Sequence, residues 1–315
     1  MRSKRLGSAG PEISGVGFGT WEAGGMWGTN PPDDEIVRAI QAGLDAGMNW
    51  IDTAEAYGAG KSEEIVGRAV KRRPDALVFT KVAFAPAGSG YGAADIRRAA
   101  EQSIRRLGRD RIDLYQIHGP SPDFTPEESW AAMAELVDDG LVRWIGVSNF
   151  PRELIEACEA IRHVDALQPH FSLLFQQNGD VVRWCEGNGS GVIAYGPLSF
   201  GLVTGGITQQ TTFGEDDWRS GSFNFIPPVK MNYEALFEPE ARRAQLAIVE
   251  RLRPVADRLG ITRAQLAIAW SLHQPGVTGA IVGTRSQKRA GENAAAGAIM
   301  LDSKDLEEIG TIAGS

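Results

Sequence analysis

Seven short apolar runs in this chain end on polar residues suited to chemistry: Asp52, Lys81, His118, Asn149, Gln168, Tyr195 and Thr284. Tyr57 follows the first of these endpoints by five positions. A phenol has a pKa of about 10, so it is a weak acid at neutral pH unless its surroundings help. A neighbouring ammonium favours the phenolate and lowers that value, and Lys81 is the candidate cation. A buried lysine needs a counter-charge, which Asp52 is placed to supply. His118 offers a ring N–H to orient a carbonyl oxygen or relay a proton. Together these groups make a proton donor aimed at one oxygen, with no nucleophile and no metal cage. That is what carbonyl reduction needs from a protein when a cofactor brings the hydride. Each residue alone has a plainer reading: a turn cap for Asp52, a packing tyrosine, a histidine under a loop. Lysine, however, avoids burial, and the four together favour a site.

The elements that must position them are strands. Most of the endpoints lie about 30 residues apart, the length of one strand, loop and crossover helix. Strand-like runs alternating with helical ones imply a parallel sheet. We therefore expect an α/β fold, a (β/α)8 TIM barrel in one domain over residues 1–315. The C-terminal ends of its strands would meet on one face, where enzymes of this architecture keep their sites. Helices are expected from Asp33, over Lys61–Arg73 and Ala94–Leu107, from Pro126 to near Gly140, and from Pro151. The segment from Lys4 to Ser14 reads as a hairpin that plugs the barrel floor. The segment from Ser199 to Pro239 reads as a long flap without regular structure, placed before the last β/α unit and covering the mouth. Two helices should follow it.

The chain has 315 residues, 43% of them hydrophobic, and a formal net charge of −8. The acidic balance argues against a nucleic-acid partner, which favours a basic face. No apolar stretch approaches the roughly 18 residues needed to span a membrane, and the charged N-terminus lacks the apolar segment of a secretory signal. The expectation is a cytoplasmic monomer. Cys158 and Cys185, the only cysteines, sit in helix-like stretches without metal-ligand spacing and read as free buried thiols.

Several longer motifs carry a resemblance. Gly47-Met48-Asn49-Trp50-Ile51-Asp52-Thr53-Ala54-Glu55-Ala56-Tyr57-Gly58, followed by Ser62-Glu63-Glu64-Ile65-Val66-Gly67, resembles the first signature of the aldo-keto reductases. Phe79-Thr80-Lys81, Asp113-Leu114-Tyr115-Gln116-Ile117-His118, Ile145-Gly146-Val147-Ser148-Asn149-Phe150 and Ile281-Val282-Gly283-Thr284-Arg285 are similar to further motifs of that family. The resemblance implies NADPH or NADP+ bound in extended form across the mouth, and a small aldehyde or ketone as substrate. Tyr57 would be the general acid, with Asp52, Lys81 and His118 completing a tetrad. Gly19, Thr20, Trp21 and Asp52 would lie beside the nicotinamide ribose. Ser148, Asn149 and Gln168 would hold the carboxamide, and Tyr195 would stack on the nicotinamide. Gly196, Pro197 and Leu198 would line the same cofactor. Glu292 and Asn293 would contact the adenine, and Arg219 in the flap is placed to reach the cofactor.

The phosphate end can also be read from its residues. Gly283-Thr284-Arg285 is a glycine turn leading into a helix that carries Lys288 and Arg289, three cations in an acidic chain. Helix N-termini bind anions and arginines grip phosphates in bidentate fashion, which suggests a 2′-phosphate. Trp21, Trp27, Tyr57, Phe84 and Trp218 are candidates for an aromatic substrate pocket, and Trp50 and Trp144 for the core. One departure stands out: where family members often carry Gln-x-Glu-Tyr-Asn, this chain has Gln168-Pro169-His170-Phe171-Ser172. No GxGxxG follows a strand, as the family reading expects. The alternative is a cofactor-binding regulatory or redox-sensing subunit with slow turnover.

Overall fold

The chain opens with the expected hairpin: β1 (Ser3–Arg5) pairs antiparallel with β2 (Glu12–Ser14). The computed structural model describes residues 1–82, 90–121, 123–220 and 234–314. Eight short strands follow: β3 (Val16–Gly19), β4 (Trp50–Asp52), β5 (Leu77–Val82), β6 (Ile112–Ile117), β7 (Val142–Ser148), β8 (Ala166–Gln168), β9 (Gly191–Tyr195) and β10 (Gly279–Gly283). Each pairs parallel with the next, and β10 returns to β3, so the barrel closes and leaves no edge. These strands are buried on both faces, which explains why they read as apolar runs rather than as alternating patterns.

Helices wrap the barrel: α1 (Asp33–Asp45), α2 (Lys61–Val70), α3 (Ala93–Leu107), α4 (Pro126–Asp138), α5 (Arg152–Glu159), α6 (Gly179–Asn188), α7 (Pro239–Leu259), α8 (Arg263–His273), α9 (Gln287–Ala296) and α10 (Ser303–Ala313). Their local signals are legible. Thr125 and Glu128 form a reciprocal capping box at α4, with Pro126 at its first position. Gly108, at φ +61°, ends α3 in the left-handed conformation that glycine adopts freely. α2 stops three residues short of the expected Arg73. There the chain turns, with the Arg73 N–H on the Val70 carbonyl at 2.8 Å, before Pro74, which cannot continue a helix. The described parts of the flap are also more ordered than expected. They include 3₁₀ turns at Ser199–Thr204, Trp218–Ser220 and Glu234–Phe237.

The hairpin closes the barrel floor. Leu6 and Ile13 are wholly buried and cluster with Trp50, Phe79, Leu114, Ala166 and Ile193 inside the barrel. Trp50 lies flat against Gly17, where a Cβ would come within 2.2 Å of the ring. Its indole N–H donates to the Ser14 carbonyl at 2.8 Å. Trp50 is therefore core, as expected. Trp144 is partly buried: it packs against the same cluster, and its indole N–H reaches the Ala9 carbonyl at 3.0 Å and clasps the hairpin turn. Cys158 and Cys185 are free and buried, and burial pushes both thiols up to about 12.

If the hairpin is a structural plug, Leu6→Ala should cost about 3 kcal/mol of stability, the usual scale for emptying a buried leucine site. Urea denaturation would measure it, and a change below about 1 kcal/mol would mean that the floor packs without it.

Candidate active site

Asp52 ends β4 and Lys81 lies near the end of the neighbouring β5. Their side chains meet inside the mouth: Lys81 Nζ donates to Asp52 Oδ1 at 2.6 Å and to the Thr53 carbonyl at 2.9 Å. Lys81 is 0% exposed and Asp52 is 2% exposed, so the pair is out of water. Burial pulls the Lys81 amine below its usual value, and the Asp52 carboxylate pulls it back up. The second carboxylate oxygen is also used. Gln168 Nε2 donates to Asp52 Oδ2 at 2.9 Å and to Gln116 Oε1 at 3.2 Å. Gln116 Nε2 lies 3.5 Å from the same carboxylate oxygen. Thus Asp52 balances the ammonium and is itself held by two amides, as a buried ion pair requires.

Tyr57 stands above this pair, with Lys81 Nζ 5.2 Å from its ring centroid. The loop that carries it is bent by three consecutive left-handed residues, Gly58, Ala59 and Gly60. Its position is set by a hydroxyl chain. Thr53 and Ser62 lie 2.9 Å apart, Ser62 donates to Thr20 at 2.7 Å, and Thr20 donates to the Asp52 carbonyl at 2.9 Å. The His118 ring meets Tyr57 edge-on, with centroids 5.7 Å apart. All four residues of the expected tetrad are therefore brought together.

Their electrostatics correct one expectation. The Tyr57 hydroxyl is held well above its ordinary value, first by burial and then by the charge of Asp52 and by Tyr195. Burial and the Asp52 charge outweigh the pull of the ammonium, so the resting phenol is not made acidic. His118 is pushed well below the usual imidazole value, by burial and then by Lys81. At neutral pH, both groups are uncharged.

The next strand ends form a wall. Ser148 Oγ donates to the Gln168 carbonyl at 2.9 Å. Asn149, at φ +60°, donates to the His118 carbonyl at 3.1 Å and accepts from the Tyr195 hydroxyl at 2.8 Å. Gln168 spends both amide hydrogens on Asp52 and Gln116, so what it can still offer a ligand is its amide oxygen. The His170 departure has a structural reason. Its ring is stacked between Phe175, with centroids 4.1 Å apart, and Tyr195, at 5.2 Å. Burial alone takes this imidazole down to about 3, so it serves as a neutral aromatic slab behind Tyr195. Gly196 turns with φ +72°, Leu198 is half-buried, and Ser199 and Phe200 follow in left-handed conformations. A bulky residue held at positive φ is strained. Here it drives Phe200 into an aromatic cluster.

That cluster holds residues expected to line a substrate pocket, but Trp218 is wholly buried and Trp27 nearly so, and they pack behind Trp21 rather than line an opening. Trp218 of the flap stacks on Trp21 at 5.4 Å, Trp27 meets both edge-on, and Trp21 lies 6.3 Å from Tyr57. Backbone bonds pin the flap over the loop after β3: Trp218 N–H to the Met26 carbonyl, and Gly28 N–H to the Asp216 carbonyl. Arg219 is folded back onto Asp217 at 2.5 Å and over the Trp27 and Phe213 rings. It therefore braces the flap rather than projecting freely. Phe84 lies outside the described residues.

At the end of the mouth expected to take the cofactor phosphates, β10 finishes on Gly283 and Ser286 caps α9, accepting from the Arg289 N–H. Arg285 donates to the Thr29 carbonyl at 2.9 Å and to Asn30 Oδ1 at 3.1 Å. Thr284 and Asn293 are buried, whereas Arg289 and Glu292 are exposed. Three participants escape a reading from sequence. Gln116 ties Gln168 to Asp52; it lies two residues before His118, a spacing that sends both side chains to the same face of a strand. The wholly buried Glu63 accepts from Thr80 and from Arg106, both at 2.6 Å, behind Lys81. Glu22 lies beside Arg285. Among the described residues, no cluster of three or more His, Cys, Asp or Glu side chains could hold a metal, and no helix is long and apolar enough to cross a membrane.

The chain is similar to known proteins over nearly its whole length. A model of the aldo/keto reductase family matches residues 15–313. The aldo-keto reductase YhdN of Bacillus subtilis is 34% identical over 99% of this chain and 93% of its own length. The glycerol dehydrogenase AKR11B4 from Gluconobacter oxydans superposes with a TM-score of 0.84 at 33% identity, over 98% of this chain and 94% of that one. An aldo/keto reductase from Klebsiella pneumoniae, crystallised with NADP and acetate, has a TM-score of 0.75 at 29% identity, over 98% and 94% of the two chains.

Asp52→Ala should cost about 3–5 kcal/mol, since it strands a buried ammonium. Removing both charges in Asp52→Ala/Lys81→Met should recover part of that loss, as seen by urea denaturation. Additive costs would show that the two charges act independently.

Proposed function

The chain belongs to the aldo-keto reductase family, oxidoreductases that reduce carbonyl groups, and we propose that it does so with NADPH, taking the proton from Tyr57. The observation that carries this reading is the convergence of Tyr57, Lys81, Asp52 and His118 at one end of a closed parallel barrel. The residues present fit the cofactor. Tyr195 offers a half-buried ring backed by His170, Gln168 an amide oxygen, and Arg285 and Arg289 cations at the N-terminus of α9. When bound, the reduced nicotinamide supplies the hydride.

The protein's own part is proton and geometry. The neutral Tyr57 hydroxyl keeps its proton at rest and gives it to the carbonyl oxygen as negative charge develops there. The neutral His118 ring aims that oxygen through an N–H. Lys81 contributes at the next moment: once Tyr57 is a phenolate, the ammonium stabilises it, and burial makes that contact stronger than it would be in water. Asp52 keeps Lys81 charged until then. Trp21, 6.3 Å from Tyr57 and backed by Trp27 and Trp218, sets an aromatic face beside the proton donor, which favours apolar and aromatic aldehydes and ketones over phosphorylated ones.

Tyr57→Phe should lower turnover by about a hundredfold or more while leaving NADPH binding intact. Wild-type rates in that variant, read as NADPH absorbance loss with an aldehyde panel, would reject the role. The pKa directions give a second expectation. Tyr57 titrates above its usual value and His118 below its own, so the proton donor stays loaded through the neutral range. The kcat/KM for reduction should therefore stay level from pH 7 to pH 9. A fall across that interval would mean that Tyr57 titrates within it.

A further inference from the structure

Glu22 sits in the short 3₁₀ turn that follows β3, Trp21–Gly24. Neither the tetrad nor the carboxamide wall uses it. Its Oε2 lies 3.8 Å from the Nε of Arg285. Its Oε1 lies over the turn at Gly283, where a Cβ would be 3.5 Å away. The charges of Arg285, Arg219 and Arg289 all act on this carboxylate, while burial holds it above its usual value. The carboxylate thus sits beside the Arg285 guanidinium, at the turn that opens α9. Arg285 is anchored through Nη1, which donates to Thr29 and Asn30. Nε lies within ion-pairing reach of Glu22, beyond hydrogen-bond distance.

Arginines beside a capped helix N-terminus make an anion site. Here an anion of the protein's own is built into it. Resting on the reading above, that this end receives the cofactor phosphates, we propose that Glu22 competes with those phosphates for Arg285 and so sets how tightly the cofactor is held. The two anions repel each other across one guanidinium. Phosphate binding must therefore work against the carboxylate, and the cofactor leaves sooner than the arginines alone would allow. The opposite role is also chemically available to a carboxylate: accepting hydrogen bonds from a ribose diol, as acidic residues do in other dinucleotide sites. The two roles predict opposite signs. A competitor weakens binding, whereas a diol acceptor strengthens it.

Calorimetric titration of NADPH and NADH into the wild type, Glu22→Gln, Glu22→Ala, Arg285→Gln and the Glu22→Gln/Arg285→Gln double variant separates them. The competitor role requires both Glu22 variants to bind NADPH about five- to tenfold more tightly, the scale of one partly buried charge contact. In the Arg285→Gln background, the gain from Glu22→Gln should shrink to under about twofold, because the repulsion acts through that guanidinium. An equal gain for NADH identifies the pyrophosphate as the rival, and a gain confined to NADPH identifies the 2′-phosphate; both uphold the proposal. Unchanged or weaker NADPH binding in the two Glu22 variants, with melting temperatures like the wild type, would overturn it. If instead the wild type takes up no NADPH, the functional reading falls and this inference with it.

Discussion

The Asp52–Lys81 pair is the constraint from which the rest of the mouth follows. An ammonium with no exposed surface persists only beside a full counter-charge and with its remaining hydrogens satisfied. The carboxylate is at 2.6 Å and the Thr53 carbonyl at 2.9 Å. The carboxylate in turn needs donors, which Gln168 and Gln116 provide. One charge near the end of β5 therefore dictates side chains on β4, β6 and β8. These are four strands separated by more than a hundred residues of chain, and the parallel barrel is what brings their ends within hydrogen-bonding distance.

The same pair explains why the site holds neutral groups at rest. Burial raises the phenol and lowers the imidazole, and the pair adds to both shifts: Asp52 raises Tyr57 and Lys81 lowers His118. An acid that holds its proton firmly looks ill suited to giving it up. On the proposed reading, the resolution lies in the acceptor: the developing alkoxide is a far stronger base than a resting carbonyl, and the buried ammonium lowers the cost of the phenolate below what burial and Asp52 alone would set.

What is legible in the sequence, and what is not, follows from the range of each interaction. Strand ends are legible because a doubly buried parallel strand is a short apolar run, and a polar residue at its tip belongs to the mouth. Lys81 is the clearest case, since few other settings tolerate a lysine there. The hairpin plug is legible from local turn chemistry around Gly7 and Gly10. The resting state of Tyr57 is not, because it depends on burial and on the nearness of Asp52, and a sequence holds no such distance. Gln116 hides in an apolar strand for the same reason. The role of His170 as a slab between Phe175 and Tyr195 needs the third dimension outright. The flap is misread as irregular because 3₁₀ turns lack the long periodicity that marks a helix.

The two ends of the mouth solve opposite electrostatic problems. At the chemical end, charge is balanced within the protein, so that any new charge arising in the reaction meets a fixed, compensated field. At the other end, on the reading proposed above, Arg285, Arg289 and the opening of α9 offer positive charge to an anionic ligand, and Glu22 beside Arg285 offsets part of it. Had every cation there been left unopposed, tight binding would come at the expense of release, and a reductase that turns over must exchange its cofactor on each cycle. A built-in carboxylate lowers affinity without removing the geometry that selects for phosphate, because the guanidinium stays anchored by Thr29 and Asn30 whichever anion it faces.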